Sequence, residues 1–332
     1  MRTMYLVTGA YGHLGSMLVR QLCQSGGHVR GLVLDGDRSM EFNDPRVEIY
    51  YGDVCDETSM QAFFDAPGYE LVVFHTAGIV SIASKYQQKV YDVNVKGTAN
   101  VIAQCRKHQV KRLVYVSSVH AIPERPDNEK IEEVNCFLPE MVKGLYAKTK
   151  AEATQDVLNA ARQGLDAVVV HPSGILGPGD TGRGSITQMV TDFLKGRLTA
   201  YVAGGYDFVD VRDVALGTIA AAGRGSTGEC YILSNRYFTV QEILDYAAQA
   251  GGHKRIKTKL PAWFARLSAP LAETYYKLLR QPPLYTRYSL YTLAANANFS
   301  HEKATHELGY SPRNMAETMA DTVAYLRQQG RV

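Results

Sequence analysis

Short apolar runs alternate with longer amphipathic stretches through the first half of the chain. Met4-Tyr5-Leu6-Val7, Val29 to Leu34, Val47 to Tyr50, Leu71 to Phe74 and Leu113 to Val116 read as strands, and Ala167 to Val170 as a further one. Apolar runs of about four to eight residues bounded by turn formers are the pattern of strands covered on both faces. Between them the spacing is helical: Leu14, Leu18 and Leu22 recur every fourth position, and a long helical pattern runs from about Pro139 to Gln163. Strand and helix in alternation predict a doubly wound parallel α/β sheet. Its ligand site is expected at the carboxyl ends of the strands.

From about Gly174 the pattern changes. Glycine and proline cluster between Gly174 and Gly184, and helical pieces are separated by irregular segments. Thr239 with Glu242 three residues on predicts a capping box opening a helix. Leu260 to Arg280 is expected to be helical, with Pro261 tolerated at its start and Pro270 bending it. The division expected is 1–173 as the main sheet domain and 174–332 as a smaller, mainly helical lobe partly interleaved with it.

Length and composition narrow the reading. The 332 residues suit one large α/β domain or a main domain with a lobe, and 45% hydrophobic content supplies a core. The net charge is +3, with acids and bases interspersed, which does not suit a nucleic-acid partner. Five cysteines are scattered without metal-ligand spacing, so a reducing cytoplasm is expected and a metal site is not. The opening MRTMYLVTGAYG reads as a strand entering a glycine turn, so no signal peptide is expected. No apolar run approaches the roughly 18 residues needed to span a membrane.

The first candidate chemistry is Thr8-Gly9-Ala10-Tyr11-Gly12-His13-Leu14-Gly15, which follows a strand and opens a helix. Glycines there allow a tight turn and close approach of backbone to a pyrophosphate, while the helix N-terminus offers unpaired N–H groups. Asp53, followed by Val54, is placed to accept from an adenine amine, or else to cap a helix. Thr76-Ala77-Gly78 are small residues at the end of the fourth strand. Choice between NAD and NADP is open: Asp35 would bind ribose hydroxyls, whereas Arg38 and Ser39 would hold a phosphate.

Tyr146 and Lys150 lie four apart in a helical stretch and so share one face. Of the 21 tyrosines only Tyr146 has a lysine four residues later. A neighbouring ammonium is expected to lower the phenol's pKa, which is about 10 when free. The alternative is a solvated surface pair. Ser117-Ser118 closes the fifth strand, where a hydroxyl can orient a substrate oxygen or merely cap the strand end.

Taken in order, Thr8-Gly9-x-x-Gly12-x-x-Gly15, Asp53, His75-x-Ala77-Gly78, Asn94, Ser118, Tyr146-x-x-x-Lys150 and His171-Pro172-Ser173 resemble the extended short-chain dehydrogenase/reductase superfamily, the NAD-dependent epimerase/dehydratase family. The resemblance covers nearly the whole chain. It implies a Rossmann fold in which Ser118, Tyr146 and Lys150 catalyse proton transfer, Asn94 helps to hold the lysine through water, and Ser117 gives support. It further implies that Pro172, Ser173 and Ile175 pass beside the nicotinamide, and it brings an expectation of a homodimer through helices beginning near Lys85 and Pro139. The family's usual NAD-selecting acid aligns with Val33 rather than Asp35.

Two positions separate branches of that family. Nucleotide-sugar members usually carry asparagine where this chain has Gly174, and an arginine near Tyr206; dehydratases place an acid–base pair where this chain has Val119 and His120. The remaining resemblance is to dihydroflavonol reductases and 3β-hydroxysteroid dehydrogenases, which implies an oxidoreductase for a secondary alcohol, ketone or aldehyde on a bulky, weakly polar substrate. Val80, His120, Gly174 and Tyr206 are the candidate substrate residues. Leu260 to Phe264 and Pro283 to Tyr291 either line its pocket or belong to the core. Two other readings are a nucleotide-sugar 4-epimerase and a non-catalytic dinucleotide-sensing scaffold.

Overall fold

The computed structural model describes residues 2–81, 86–127, 129–181, 184–261 and 287–332. Its centre is a seven-stranded parallel sheet of β1 (Arg2–Thr8), β2 (His28–Val33), β3 (Val47–Tyr51), β4 (Tyr69–His75), β5 (Arg112–Val116), β6 (Ala167–Pro172) and β10 (Cys230–Leu233). The spatial order is β10-β6-β5-β4-β1-β2-β3, so the winding reverses between β1 and β4. Such a reversal leaves a crevice at the carboxyl ends of the strands, as the alternating pattern predicts.

The strands bury both faces because consecutive side chains point to opposite sides. Leu6, Leu113, Tyr115 and Val169 enter one apolar cluster, while Val7, Val114, Val168 and Val170 enter the other. Helices α1 (His13–Gln24), α2 (Gln61–Phe64), α3 (Gln88–Tyr91), α4 (Gly97–Lys107) and α5 (Leu145–Arg162) connect the strands. Leu14, Leu18 and Leu22 all lie on the buried face of α1. A π-helical turn, Asp92–Lys96, joins α3 to α4 and widens the helix where Asn94 sits.

Two sequence expectations are corrected here. The helix expected from Pro139 is only a single 3-10 turn at Pro139–Met141, and α5 begins at Leu145. The cause is Gly144, whose φ of +94° breaks the run and whose position leaves no room for a Cβ beside the Tyr288 ring. The segment after Gly174 is also richer in strand than its pattern suggests. Short strands β7 (Gly174–Leu176), β9 (Gly205–Asp210) and β11 (Arg236–Thr239) form a second sheet, and β8 (Tyr201–Val202) pairs with β12 (Lys259–Leu260). Leu260 is therefore strand; the rest of the expected helix to Arg280, including Trp263 and Phe264, lies outside the described residues except Pro261.

Helices α6 (Ser185–Leu194), α7 (Val211–Arg224), α8 (Val240–Gly251), α9 (Arg287–Thr292), α10 (Glu302–Leu308) and α11 (Met315–Gln328) complete the chain. The capping box forms as expected: Thr239 Oγ1 accepts the Glu242 amide at 3.0 Å and the Glu242 carboxylate accepts the Thr239 amide at 2.8 Å. A third apolar cluster gathers Val190, Phe193, Ile243, Leu244, Met319 and Val323 from α6, α8 and α11. Among the described residues, no helix is long and apolar enough to cross a membrane.

Candidate active site

The glycine turn sits at the sheet's point of reversal. Gly9 has a φ of +68°, a conformation that favours glycine, and a Cβ there would lie 3.0 Å from the Ala77 backbone. A Cβ on Gly15 would lie 2.2 Å from the Gly9 carbonyl oxygen. The loop is thus folded tightly against Thr76 and Ala77, with Gly12 leading into α1 and its unpaired amides. Thr76 Oγ1 donates to the Thr8 carbonyl at 2.7 Å, and the Ala77 amide to Thr8 Oγ1 at 3.2 Å. Tyr11 and Leu14 are buried, whereas His13 Nε2 is 3.2 Å from the Pro178 carbonyl, which draws the second half of the chain over the turn. A turn with this crowding has the shape of a pyrophosphate cradle.

At the far end of that crevice, Asp35 and Arg38 are exposed after β2. The Arg38 guanidinium lies 4.8 Å from the centre of the Tyr51 ring. Asp53 directs one carboxylate oxygen to the Cys55 amide at 2.9 Å, so it does cap its own turn, and Val54 beside it is buried.

At the carboxyl end of β5 the two serines part. Ser118 faces the crevice: its hydroxyl accepts the His120 amide at 3.2 Å and lies near enough to the Tyr146 phenol to favour its ionised form. Ser117, grouped with it in the sequence reading, turns its hydroxyl the other way, 2.6 Å from Thr154 Oγ1 on α5, as strand alternation requires. Thr154 in turn donates to the Lys150 carbonyl at 2.6 Å, so Ser117 braces α5 rather than entering the crevice.

Tyr146 and Lys150, in the first turns of α5, are both buried. Burial pushes the Tyr146 phenol up to about 12, with the nearby Ser118 hydroxyl opposing it. The lowering expected from a neighbouring ammonium is absent, because Lys150 Nζ donates elsewhere, to the Val116 carbonyl at 2.8 Å and the Tyr115 hydroxyl at 3.2 Å. Burial without a compensating carboxylate brings the Lys150 ammonium down to about 7. Asn94 fastens the neighbouring loop: its Oδ1 accepts the Ile79 amide at 2.8 Å, and its Nδ2 donates to the Ile79 carbonyl and to Thr149 Oγ1, both at 3.1 Å. Gly78 is exposed, and a Cβ on it would come within 3.6 Å of Lys150 Nζ.

Beside this set opens a narrow cleft of about 40 Å³, lined chiefly by His120, Val142, Ala147, Tyr206, Tyr288 and Phe299. His120 stacks on Tyr206 with planes 16° apart and meets Tyr146 edge-on at 5.8 Å. Burial holds its imidazole down at about 4. Tyr291 also lines the cleft, so part of the aromatic segment named from sequence does reach it; residues 283–286 lie outside the described residues. Of the other candidate substrate residues, Val80 is 73% exposed, and Gly174 lies between Phe208 and the Asp207 carbonyl, which a Cβ would meet at 2.7 and 2.9 Å. Pro172 is buried and Ile175 half-buried, while the Ser173 hydroxyl is spent on Asp207 at 2.5 Å. Gly144 and Tyr115 are contributors that sequence reasoning passed over. Gly144 carried a signal, a glycine immediately before the Tyr146 turn, whereas Tyr115 looked like any apolar strand residue.

The strand order, the crowded glycine turn at its reversal and the hydroxyl–phenol–ammonium set beside it define a dinucleotide-binding α/β enzyme. The profile of the NAD dependent epimerase/dehydratase family matches residues 5–234. The sterol demethylase protein B of Methylococcus capsulatus is 33% identical over 98% of this chain and 99% of its own. The 3beta-hydroxysteroid-dehydrogenase/decarboxylase isoform 1 of Arabidopsis thaliana is 31% identical over 92% of this chain and 75% of its own. The crystal structure of gox2253 superposes with a TM-score of 0.85 at 32% identity, each chain being covered completely at 100%. The chain belongs to the NAD dependent epimerase/dehydratase family, and with that membership comes dependence on a nicotinamide dinucleotide.

Proposed function

We propose that this protein is an NAD(P)-dependent oxidoreductase acting between a secondary hydroxyl and a ketone on a bulky, weakly polar substrate of sterol-like size. The observation that carries the reading is Tyr146, close to Ser118, meeting the cleft-lining His120 ring edge-on at 5.8 Å. The two relatives named for sterol and 3β-hydroxysteroid chemistry support the substrate class. The crowding at Gly174, where nucleotide-sugar enzymes place a side chain, speaks against a sugar nucleotide.

The residues at the glycine turn, with Asp35 or Arg38 at the ribose end, would hold the dinucleotide, which supplies or accepts the hydride. In the reductive direction Tyr146, protonated at neutral pH, donates its proton to the carbonyl oxygen as negative charge develops there. Ser118 donates a hydrogen bond to the same oxygen, an arrangement worth several kcal/mol in water-excluded sites. Lys150, one turn along α5, offers an ammonium to the resulting phenolate. In the oxidative direction the proton returns to Tyr146. Residues 1–173 would carry the dinucleotide and 174–332 the substrate, with β10 returning to the main sheet. A cytoplasmic homodimer is the accompanying expectation.

The test is fluorescence detection of reduced dinucleotide with a panel of 3β-hydroxysteroids, flavonoid-like ketones, aldehydes and UDP-sugars, using wild type and Tyr146→Phe. Turnover of a steroid alcohol that vanishes in Tyr146→Phe, with dinucleotide binding retained, is expected. Full activity in that variant, or turnover confined to UDP-sugars, would refute the proposal.

A further inference from the structure

The reaction just described leaves His75, Thr98 and Tyr115 without a task, although all three are polar and buried. Polar groups in a core are costly unless paired, and apolar residues would fill the same space. Their arrangement follows from sheet register. Thr8 on β1 pairs with His75 on β4, and His75 with Tyr115 on β5, forming one row across the strand ends. Helices α4 and α5 cover that face and contribute Thr98 and Lys150.

The hydrogen bonds along this row can be assigned proton by proton. Thr8 Oγ1 lies 2.7 Å from His75 Nδ1 and already accepts the Ala77 amide, so its own proton goes to Nδ1. His75 Nε2 therefore carries the ring proton and donates to Thr98 Oγ1 at 3.0 Å. The Thr98 proton is committed to the Asn94 carbonyl at 2.7 Å. The Tyr115 ring stacks on His75, with centroids 5.6 Å apart and planes at 29°. Its hydroxyl accepts from Lys150 Nζ, 3.2 Å away. The ammonium also lies 4.8 Å from the centre of the Tyr115 ring, on its hydroxyl side. Burial and the nearby Lys150 charge keep His75 neutral, as this tautomer requires.

We propose that Tyr115, held by stacking on a His75 ring that Thr98 and Thr8 fix in place, is a positioning residue that holds the Lys150 ammonium, and that this row of side chains ties Lys150 to the glycine turn through Thr8. The proposal rests on the reaction centre described above. Lys150 has three ammonium protons. Tyr115 and the Val116 carbonyl take two, which leaves one for the crevice. The titratable groups around it are Tyr115 on β5, His75 on β4, His171 on β6 and Tyr146 on its own helix. Among the described residues no carboxylate forms an ion pair with it. The charged form therefore depends on these hydrogen bonds, and removing one should tilt Lys150 toward the neutral amine.

The experiment follows the 13Cε resonance of Lys150 with pH in lysine-labelled protein, assigned by its loss in Lys150→Met. Tyr115→Phe is expected to make Lys150 about tenfold more acidic, a one-unit fall in midpoint. Thr98→Val should move it in the same direction and Thr98→Ser should restore it. With dehydroepiandrosterone and NAD, kcat of Tyr115→Phe should fall about tenfold while NADH affinity and melting temperature stay close to wild type. An unchanged midpoint in folded Tyr115→Phe would overturn this inference alone. Tyr146→Phe retaining turnover would sink the reaction centre yet leave the titration readable. Failure of both Tyr115→Phe and Thr98→Val to fold would assign the row to the core framework and likewise overturn the proposal.

Discussion

The Tyr206 hydroxyl lies 3.1 Å from His120 Nε2, and the two rings stack with centroids 5.4 Å apart. One partner comes from the loop after β5 and the other from β9, so the pair joins the two parts of the chain across the mouth of the cleft. Because burial holds His120 at about 4, it stays neutral across the range where an ordinary histidine titrates. His120→Leu is expected to raise the steroid KM roughly tenfold, the loss of one buried polar contact, with NADH affinity unchanged. Lys150, held at about 7, should give the rate profile its near-neutral limb, and His120→Leu should leave that limb in place. A limb near pH 6.5 that His120→Leu abolishes would contradict this assignment.

Ser118→Ala removes the hydroxyl proposed to donate to the reacting oxygen, which also opposes the upward shift of the Tyr146 phenol. The expected loss in kcat is about a hundredfold, with little change in dinucleotide affinity. Ser117→Ala, whose hydroxyl braces Thr154 instead, should lower the melting temperature while changing kcat by only a small factor. Steady-state kinetics beside thermal melts of both variants separate the two serines, and equal kinetic losses would argue against their division of labour.

Gly174→Asn would put a Cβ into the Phe208 ring edge and the Asp207 carbonyl. Overpacking of this kind costs roughly 1–3 kcal/mol. A measurable fall in unfolding midpoint is expected, without any gain of UDP-sugar binding by calorimetry. Tolerance of the substitution together with sugar-nucleotide binding would reopen the epimerase reading.

Two histidines make stability fall in acid. His75 is held at about 3 and His171 at about 4, both below the ordinary 6.5 because burial disfavours the charged ring. His171 donates from Nδ1 to the Ser118 carbonyl at 2.9 Å, stacks on Phe137, and leaves Nε2 buried without a partner. Since the unfolded chain binds these protons first, their contribution is complete above pH 6.5 and is lost as pH falls toward 4 and 3. The loss is on the order of a few kcal/mol per ring. Urea midpoints between pH 8 and 4 should decline accordingly, and His171→Phe should flatten the decline. An unaltered slope in that variant would show that the ring titrates normally.

Arg38→Ala tests which dinucleotide is preferred. The guanidinium rests over Tyr51 beside the exposed Asp35, so it can turn to a phosphate while Asp35 serves ribose hydroxyls. The variant should lose about tenfold in kcat/KM with NADP and little with NAD. Equal losses with both would remove Arg38 from the selection.

The parallel sheet and its reversal were legible in the sequence because both faces are buried, which leaves continuous apolar runs at β1, β4, β5 and β6. Tyr146 and Lys150 were legible because helical periodicity alone puts them on one face. What escaped was set by contacts between distant positions. The start of α5 depends on Tyr288 crowding Gly144, far along the chain. The direction of Ser117 depends on Thr154, and the ammonium's partners on the register that places Tyr115 beside it. Strand β10 is only Cys230–Leu233, too short for its alternation to stand out.

That short strand has an outcome for anyone dividing the gene. By pairing with Val169 to Pro172 it seals the outer flank of β6. A fragment stopped at residue 173 would bare the outward backbone groups of Ala167, Val169 and His171, an adhesive margin that invites other copies to add on. Such a fragment should precipitate rather than bind nucleotide, whereas one extended past Leu233 would keep its border closed.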